Sequence, residues 1–263
     1  MKIALIGAGN LAWNLASALK GSEFEIVQVF SRHLDSAGRI ARDFPNIAVG
    51  MGPSNLRKDL DLVIVASTDH GIGEIARVYA PHLGHGIVVA HTAGSVAMSE
   101  LAPFGENIGV FYPLQTFTRG LATDFRTVPI FLEGADAVLE RLRPLADHLS
   151  SRVEVMDSQQ RLQLHLGAVF ASNFSNYMWL IAEDIVRGAG TSGLDVYAPL
   201  IRECMEKALR HGPFAAQTGP ARRGDDLTMD KHLDILHERD ERLERLYREL
   251  SQMIATRFAQ PEE

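Results

Sequence analysis

Lys2-Ile3-Ala4-Leu5-Ile6-Gly7-Ala8-Gly9-Asn10-Leu11-Ala12 is the stretch that decides how the rest of the chain is read. Lys2 to Ile6 is an apolar run, too short for a helix and of the right length for a buried strand. Gly7 to Ala12 follows the pattern G-x-G-x-x-A, and Leu11 to Lys20 continues with Leu11, Leu15, Ala18 and Leu19 on one helical face. Strand, glycine turn and helix, in that order, form the setting a dinucleotide fingerprint requires. Gly7 permits the tight turn, Gly9 lets the backbone approach a pyrophosphate, and Ala12 allows the helix to pack closely on the strand. The free N–H groups and positive dipole end of the helix then face the phosphates, over Gly7, Ala8, Gly9, Asn10 and Leu11. A plain strand–turn–helix of small residues would share the pattern; the order of elements favours a nucleotide.

The second expected strand, Phe24 to Phe30, ends in Ser31-Arg32-His33. In a dinucleotide fold an acidic residue at this point binds the ribose 2′-hydroxyl. Here a hydroxyl and a guanidinium stand instead, and a guanidinium offers paired charge-assisted hydrogen bonds to a 2′-phosphate. Ser31 and Arg32 therefore point to NADP(H) over NAD(H). Asp35 precedes a helix expected over Ser36 to Phe44.

Composition narrows the classes further. The chain has 263 residues, 46% hydrophobic and 22% charged, enough for one large or two smaller cores. A formal net charge of -7 argues against broad electrostatic binding to nucleic acid or an anionic membrane. With one cysteine, Cys204, no intramolecular disulfide forms, which suits a cytoplasmic location; Cys204 reads as a packed small residue. The first strand starts at once, so no signal peptide is expected, and no apolar run reaches membrane-spanning length. Neither paired cysteines nor His-Glu-x-x-His appears, so no metal is expected.

Further strands are expected at Ile47–Val49, Asp61–Ala66, Gly86–Ala90, Ile108–Phe111, Val128–Leu132 and Val153–Val155, with helices over Gly71–Tyr79 and Ala135–Leu149. Ligands of open parallel sheets bind beyond the carboxyl ends of strands. That makes Ser67 and Thr68 cofactor candidates after the fourth strand. Asp69 beside them reads as an N-cap. After the fifth strand, His91, Thr92 and Ser95 lie where a nicotinamide would rest. Tyr112 and Gln115 follow the sixth and would shape a substrate pocket. From Asp157 onward no convincing strand follows. The expected fold is α/β: a Rossmann-type, doubly wound, mainly parallel sheet over residues 1–157, then an all-α domain over 158–263.

Gln159 to Val186 reads as one long helix, apolar almost all round and therefore buried. His165, Ser172, Asn173, Asn176 and Glu183 interrupt it, and at helical spacing they fall in one stripe about 100° wide. Buried amides and an imidazole need partners. The stripe reads either as the polar lining of a cleft between the halves or as structural hydrogen bonds; the cleft is favoured. Imidazoles as a class change charge near neutrality, so His165 is then a proton donor or acceptor, and Asn173 and Asn176 would orient substrate. Thr218 to Asp225 reads as a loop that either connects two helices or offers Arg222 or Arg223 to a substrate anion.

As an ordered set, Gly7–Ala12, Ser31-Arg32, His91–Ser95, Tyr112–Phe117, His165 through Asn173, and Thr218 through Asp225 resemble a bacterial family that joins a Rossmann-like NADP-binding domain to a C-terminal helical domain of unknown function. More distantly the chain looks like pyrroline-5-carboxylate reductase, ketopantoate reductase, the 3-hydroxyacid dehydrogenases related to 6-phosphogluconate dehydrogenase, and deazaflavin-dependent NADP oxidoreductases. The resemblance implies a homodimer built largely through the helical half, and hydride transfer to or from NADP(H) in the interdomain cleft; substrate identity does not carry over from any relative, and the residues themselves are read as serving the C=O or C=N of a small, anionic metabolite. In the hydroxyacid dehydrogenases and ketopantoate reductase a lysine stands on the long helix; His165 stands near that position here. The alternative from another class is a non-catalytic NADP(H)-binding sensor.

Overall fold

The computed structural model describes residues 1–188, 190–191 and 193–259. The described strands are β1 (Lys2–Ile6), β2 (Glu25–Phe30), β3 (Ala48–Gly50), β4 (Leu62–Val65), β5 (Val88–His91), β6 (Ile108–Pro113), β7 (Ile130–Gly134) and β8 (Val153–Val155). They form one 8-stranded sheet in the order β3-β2-β1-β4-β5-β6-β7-β8. The first six run parallel; β7 is antiparallel to β6, and β8 parallel to β7. The run β3-β2-β1-β4-β5-β6 is the doubly wound dinucleotide order, and its direction reverses between β1 and β4. The expected mainly parallel α/β sheet is the one found.

Both faces of the sheet are buried, as a parallel sheet requires. In β1, Ile3 and Leu5 join one core with Leu15, Ile64 and Ala90, while Ala4 and Ile6 join the other with Val63, Val65 and Val89. The helices of this part are α1 (Asn10–Ala18), α2 (Leu34–Asp43), α3 (Ile72–Tyr79) and α4 (Asp136–Leu149). Asn14, fully buried on α1, donates to the carbonyls of Asn10 and Thr118 and accepts from the N–H of Thr123, tying α1 to the connection after β6.

The long helix begins as α5 (Ser158–Ala168), opened by a capping box. The Asp157 carboxylate accepts from the Gln160 N–H at 2.8 Å, and the Gln160 side chain accepts from the Asp157 N–H at 3.0 Å. A π-helical segment, Val169–Phe174, follows before α6 (Ser175–Gly188). The remaining helices are α7 (Ala198–His211), α8 (Pro213–Ala216), α9 (Pro220–Arg223), α10 (Asp226–Arg239) and α11 (Glu241–Ala259). The change from strands to helices falls between β8 and α5. The chain separates into compact units elsewhere, at Met1–Ser175 and Asn176–Glu263. α5 is fastened to the sheet, by Arg161 on Glu133 and by Leu164 against the Tyr112 cluster. Within the helical unit, Phe214 stacks on Phe258 at 4.5 Å and the His232 ring hydrogen-bonds the Tyr247 hydroxyl at 2.8 Å.

Four expectations are corrected. The long helix is not wrapped in apolar neighbours: Leu162, Leu166, Phe170 and Phe174 are exposed, Phe170 at 62%. An apolar helix wants cover, but its own chain need not supply it. Asn173 and Asn176 are exposed too, so burial imposes no partner on them. Cys204 lies exposed on α7 instead of packed. The stretch Thr218–Asp225 is not all loop: its middle winds into α9, begun by Pro220 and ended by Gly224 at φ 67°. No helix among the described residues is long and apolar enough to cross a membrane.

Candidate functional site

The reversal of strand order leaves a crevice at the carboxyl ends of β1 and β4, and Gly7 is what lets the two ends approach. Its φ is 120°, and a Cβ there would stand 2.0 Å from the Ala66 carbonyl oxygen. Its N–H donates to the Phe30 carbonyl at 2.8 Å, drawing the end of β2 to the same place. Gly9 differs: a Cβ on it would meet nothing within 4 Å, so its smallness keeps the approach to the backbone open. α1 starts at Asn10 without a side-chain cap, which leaves its first-turn N–H groups to a ligand. Ala12 is fully buried against the sheet, as a tight helix-on-strand contact needs.

One cleft of about 270 Å³ is lined by Gly7, Ala8, Gly9, Ser31, Arg32, Ser67 and Thr68, with His33, Ser36, Ile75 and Tyr79 completing its wall. Seven of the residues expected to hold a cofactor therefore meet in one place. Asn10 and Leu11 stand at the start of α1 beside it. His33, Ser36, Ile75 and Tyr79 were not foreseen. His33 and Ser36 carry a local signal, since they begin α2, whose N-terminus also lacks a side-chain cap. Ile75 and Tyr79 arrive on α3 through tertiary packing, Tyr79 edge-on to Phe30 at 5.5 Å.

The ends of β5 and β6 build a second set of contacts. His91 is wholly buried and has no surface to offer a cofactor, contrary to expectation; its Nδ1 accepts from the Ala93 N–H at 3.2 Å. Desolvation and then the Arg161 charge push its pKa down to about 4, so the ring is neutral. The Thr92 N–H and hydroxyl both reach the Val65 carbonyl, linking the ends of β5 and β4. The exposed Ser95 hydroxyl donates to the Asp69 carboxylate. Asp69 thus braces two loops; the N-cap of its short turn is Thr68, without a side-chain hydrogen bond. Gln115 is exposed, and its side chain folds back to accept from the Thr116 N–H at 2.8 Å.

Tyr112, only 8% exposed, places its hydroxyl 3.0 Å from Nδ1 of His165 on α5. Gly94 leaves the room for this pair: a Cβ there would stand 2.5 Å from His165 Nδ1 and 2.8 Å from Tyr112 Cζ. Burial first, then the Asp69 charge, raise the Tyr112 pKa, with the Arg161 charge opposing, and the phenol stays protonated at neutral pH. Arg161 lies beneath, 1% exposed, paired with Glu133 and donating to the Val96 carbonyl. Ser158 joins them, its hydroxyl 2.9 Å from both Glu133 oxygens.

The π segment alters the expected polar stripe. A wide turn takes in an extra residue, so counting at about 100° per residue no longer carries across it. Asn173 and Asn176 cannot be placed on the His165 face by that count, and Asn176 belongs to the helical unit. In that unit Arg222 is spent locally: it donates to the Gln217 carbonyl and lies over the Phe258 ring at 4.8 Å. Arg223 is exposed on α9, where its charge helps lower the pKa of Asp225 after the hydrogen bonds from Thr228. Among the described residues no group of three or more His, Cys, Asp or Glu side chains is placed to hold a metal ion.

Comparison with known proteins agrees with this layout. Residues 1–115 match the model of a Rossmann-like domain, and residues 128–254 match that of a domain of unknown function (DUF2520). A candidate NADP oxidoreductase from Bacteroides fragilis is 37% identical over 97% of this chain and 98% of its own, with a TM-score of 0.88. A protein from Thermotoga maritima, 20% identical over 98% of each chain, has a TM-score of 0.73. An imine reductase from Myxococcus stipitatus in complex with NADP+, 16% identical over 99% of this chain and 100% of its own, has a TM-score of 0.69. These last two share the fold. No curated protein sequence matches the chain. From the level of identity to the Bacteroides fragilis protein along almost all of both chains, and from the two domain matches in order, the chain belongs to the family that couples a Rossmann-like domain to a DUF2520 domain.

Proposed function

We propose that the chain is an NADP(H)-dependent oxidoreductase acting on the C=O or C=N bond of a small anionic metabolite. The observation that carries this reading is the cleft at the strand-order reversal, where Gly7-Ala8-Gly9, Ser31-Arg32 and Ser67-Thr68 share one wall. The residues fit the cofactor. Gly7 closes the turn, Gly9 admits the pyrophosphate, and the uncapped start of α1 supplies N–H groups to it. Ser31 and Arg32, with His33 and Ser36 beside them, suit a 2′-phosphate. The relative from Bacteroides fragilis supports the same class by its description as a candidate NADP oxidoreductase.

When bound, NADPH supplies a hydride to the substrate carbon. His165 would give a proton to the substrate oxygen or nitrogen, Thr92 at the end of β5 would help hold the cofactor, Ser95 would meet the substrate, and Asn173 would orient it. The reading is tested by fluorescence titration with NADPH and NADH, followed by a screen of small keto and imino acids. NADPH is expected to bind at least about tenfold more tightly, as hydrogen bonds to a charged group contribute about 1.5–3 kcal/mol. Arg32→Ala is expected to erase the preference with modest loss of binding. Equal affinity of the wild type for both cofactors would overturn the assignment to NADP(H).

A further inference from the structure

Three segments far apart in sequence converge on one hydrogen bond. Gly94 lies in the turn after β5, Tyr112 near the end of β6, and His165 on α5. The Tyr112 ring is held from behind by Phe131, with centroids 6.4 Å apart, and meets the imidazole edge-on at 6.1 Å. Leu164, next to His165, packs into the same cluster. The bond engages Nδ1 of His165, and the half-buried ring makes no hydrogen bond through Nε2 among the described residues. Any side chain at position 94 would displace one partner or the other. A glycine kept free of steric demand, a nearly buried phenol and an imidazole with one nitrogen engaged form a built arrangement.

We propose that Tyr112 is a positioning residue that fixes the orientation and proton placement of His165, leaving Nε2 as the nitrogen that serves the substrate. This rests on the reading of His165 as the proton donor of an oxidoreductase. A phenol oxygen both donates and accepts, so one hydrogen bond serves each proton state of the ring. Toward the neutral imidazole Tyr112 donates to Nδ1, which puts the ring proton on Nε2. Toward the imidazolium it accepts from Nδ1–H. In the reduction, hydride joins the substrate carbon and the C=O or C=N π pair moves to oxygen or nitrogen. The imidazolium is the donor: that pair takes its Nε2 proton, the Nε2–H bond breaks and its electrons stay on the ring. The neutral form left by the step is transient: it carries its proton on Nδ1, donated to the Tyr112 oxygen, and regains the Nε2 proton from solvent. The charged groups around the pair are Arg161 and Asp69, both of which act on Tyr112.

The test is the tautomer of His165, read by long-range proton–nitrogen NMR on the full chain labelled in histidine, with the signal assigned by its loss in His165→Gln. The wild type above the titration of the ring is expected to show a protonated Nε2 and an accepting Nδ1. Tyr112→Phe is expected to show a mixture of both tautomers, and Gly94→Ala to do the same by pushing the partners apart. Two variants acting from opposite sides keep the result readable if one folds poorly. Unchanged His165 nitrogen shifts in folded Tyr112→Phe would overturn the proposal, even with turnover intact. On a substrate found by the screen, Tyr112→Phe is expected to lower kcat on the order of 10²-fold. KM and NADPH affinity should hold, with the pH dependence of kcat displaced. A wild type that shows the expected tautomer yet binds no NADPH would sink the oxidoreductase reading and support the positioning role alone.

Discussion

His91 ends β5 with 0% of its surface exposed, and burial together with the Arg161 charge holds its pKa down to about 4. In an unfolded chain an imidazole titrates near 6.5. Between those values the unfolded state takes up a proton that the folded state refuses. The stabilisation is therefore full above pH 6.5 and is lost as the pH falls through the window toward 4. By pH 4.5 the loss is on the order of 2–3 kcal/mol, since each tenfold difference in proton affinity between the two states is worth about 1.4 kcal/mol. Denaturant unfolding at pH 7 and pH 4.5 should show the wild type losing that much more than His91→Gln; equal losses would mean that the buried imidazole is not the titrating group. The same residue shows where sequence reading stops. A histidine at the carboxyl end of a parallel strand reads as ligand-facing from its type and position. Whether it meets solvent is set by tertiary packing, and one charge that acts on it, Arg161, is distant in sequence. Gly7 is the opposite case, because its need for a positive φ follows from the turn it makes.

At the scale of elements, α5 is the piece that brings chemistry to the sheet, and its anchorage is ionic. Arg161 and Glu133 pair beneath it, and Ser158 bonds the same carboxylate. Removing one member of a buried pair leaves the other charge without compensation, at a cost of about 3–5 kcal/mol, whereas replacing both with apolar groups costs much less. Glu133→Ala and Arg161→Ala are each expected to lower stability by that order in urea unfolding, and Glu133→Leu with Arg161→Met to recover most of it. A double variant no more stable than the singles would show that the pair does not act as a unit. This anchorage also explains what was and was not legible. β1, the turn at Gly7 and α1 were readable because their causes are local: apolar run, glycine, helical face. The Asp157 boundary marks a real change of secondary structure, since β8 precedes it and the capping box follows. Arg161 and Leu164 hold α5 to strands, and no local pattern in α5 announces those partners. The π turn was equally hidden. Val169–Phe174 has ordinary helical composition, and one extra residue in a turn undoes a stripe drawn by regular counting.

For the molecule as a whole, the exposed apolar side chains need an occupant. In the helical unit Leu200, Met205, Leu209, Leu227, Ile235 and Met253 are exposed, Leu209 at 81%. Apolar side chains of this size gain free energy when they are covered, as they would be at an interface. We propose a second copy of the chain as the occupant, in keeping with the homodimer that the family resemblance implies. Electrostatics opposes it: each copy carries a formal charge of -7, so association has to be driven by apolar burial. Because the repulsion is screened by salt while apolar burial is not, dimer affinity is expected to rise between low and moderate ionic strength. Sedimentation equilibrium should give twice the chain mass at micromolar concentration, and the melting temperature should rise with protein concentration, as for any state stabilised by association. Leu209→Asp, which puts a charge at the most exposed of these positions, is expected to weaken the dimer on the order of 30-fold or more, the scale of a hot-spot residue. It should leave NADPH binding by the Met1–Ser175 unit in place, because the dinucleotide cleft lies wholly within that unit. A wild type that sediments as a single chain at tens of micromolar, with a melting temperature independent of concentration, would rule out the second copy and leave the apolar surface to a different protein.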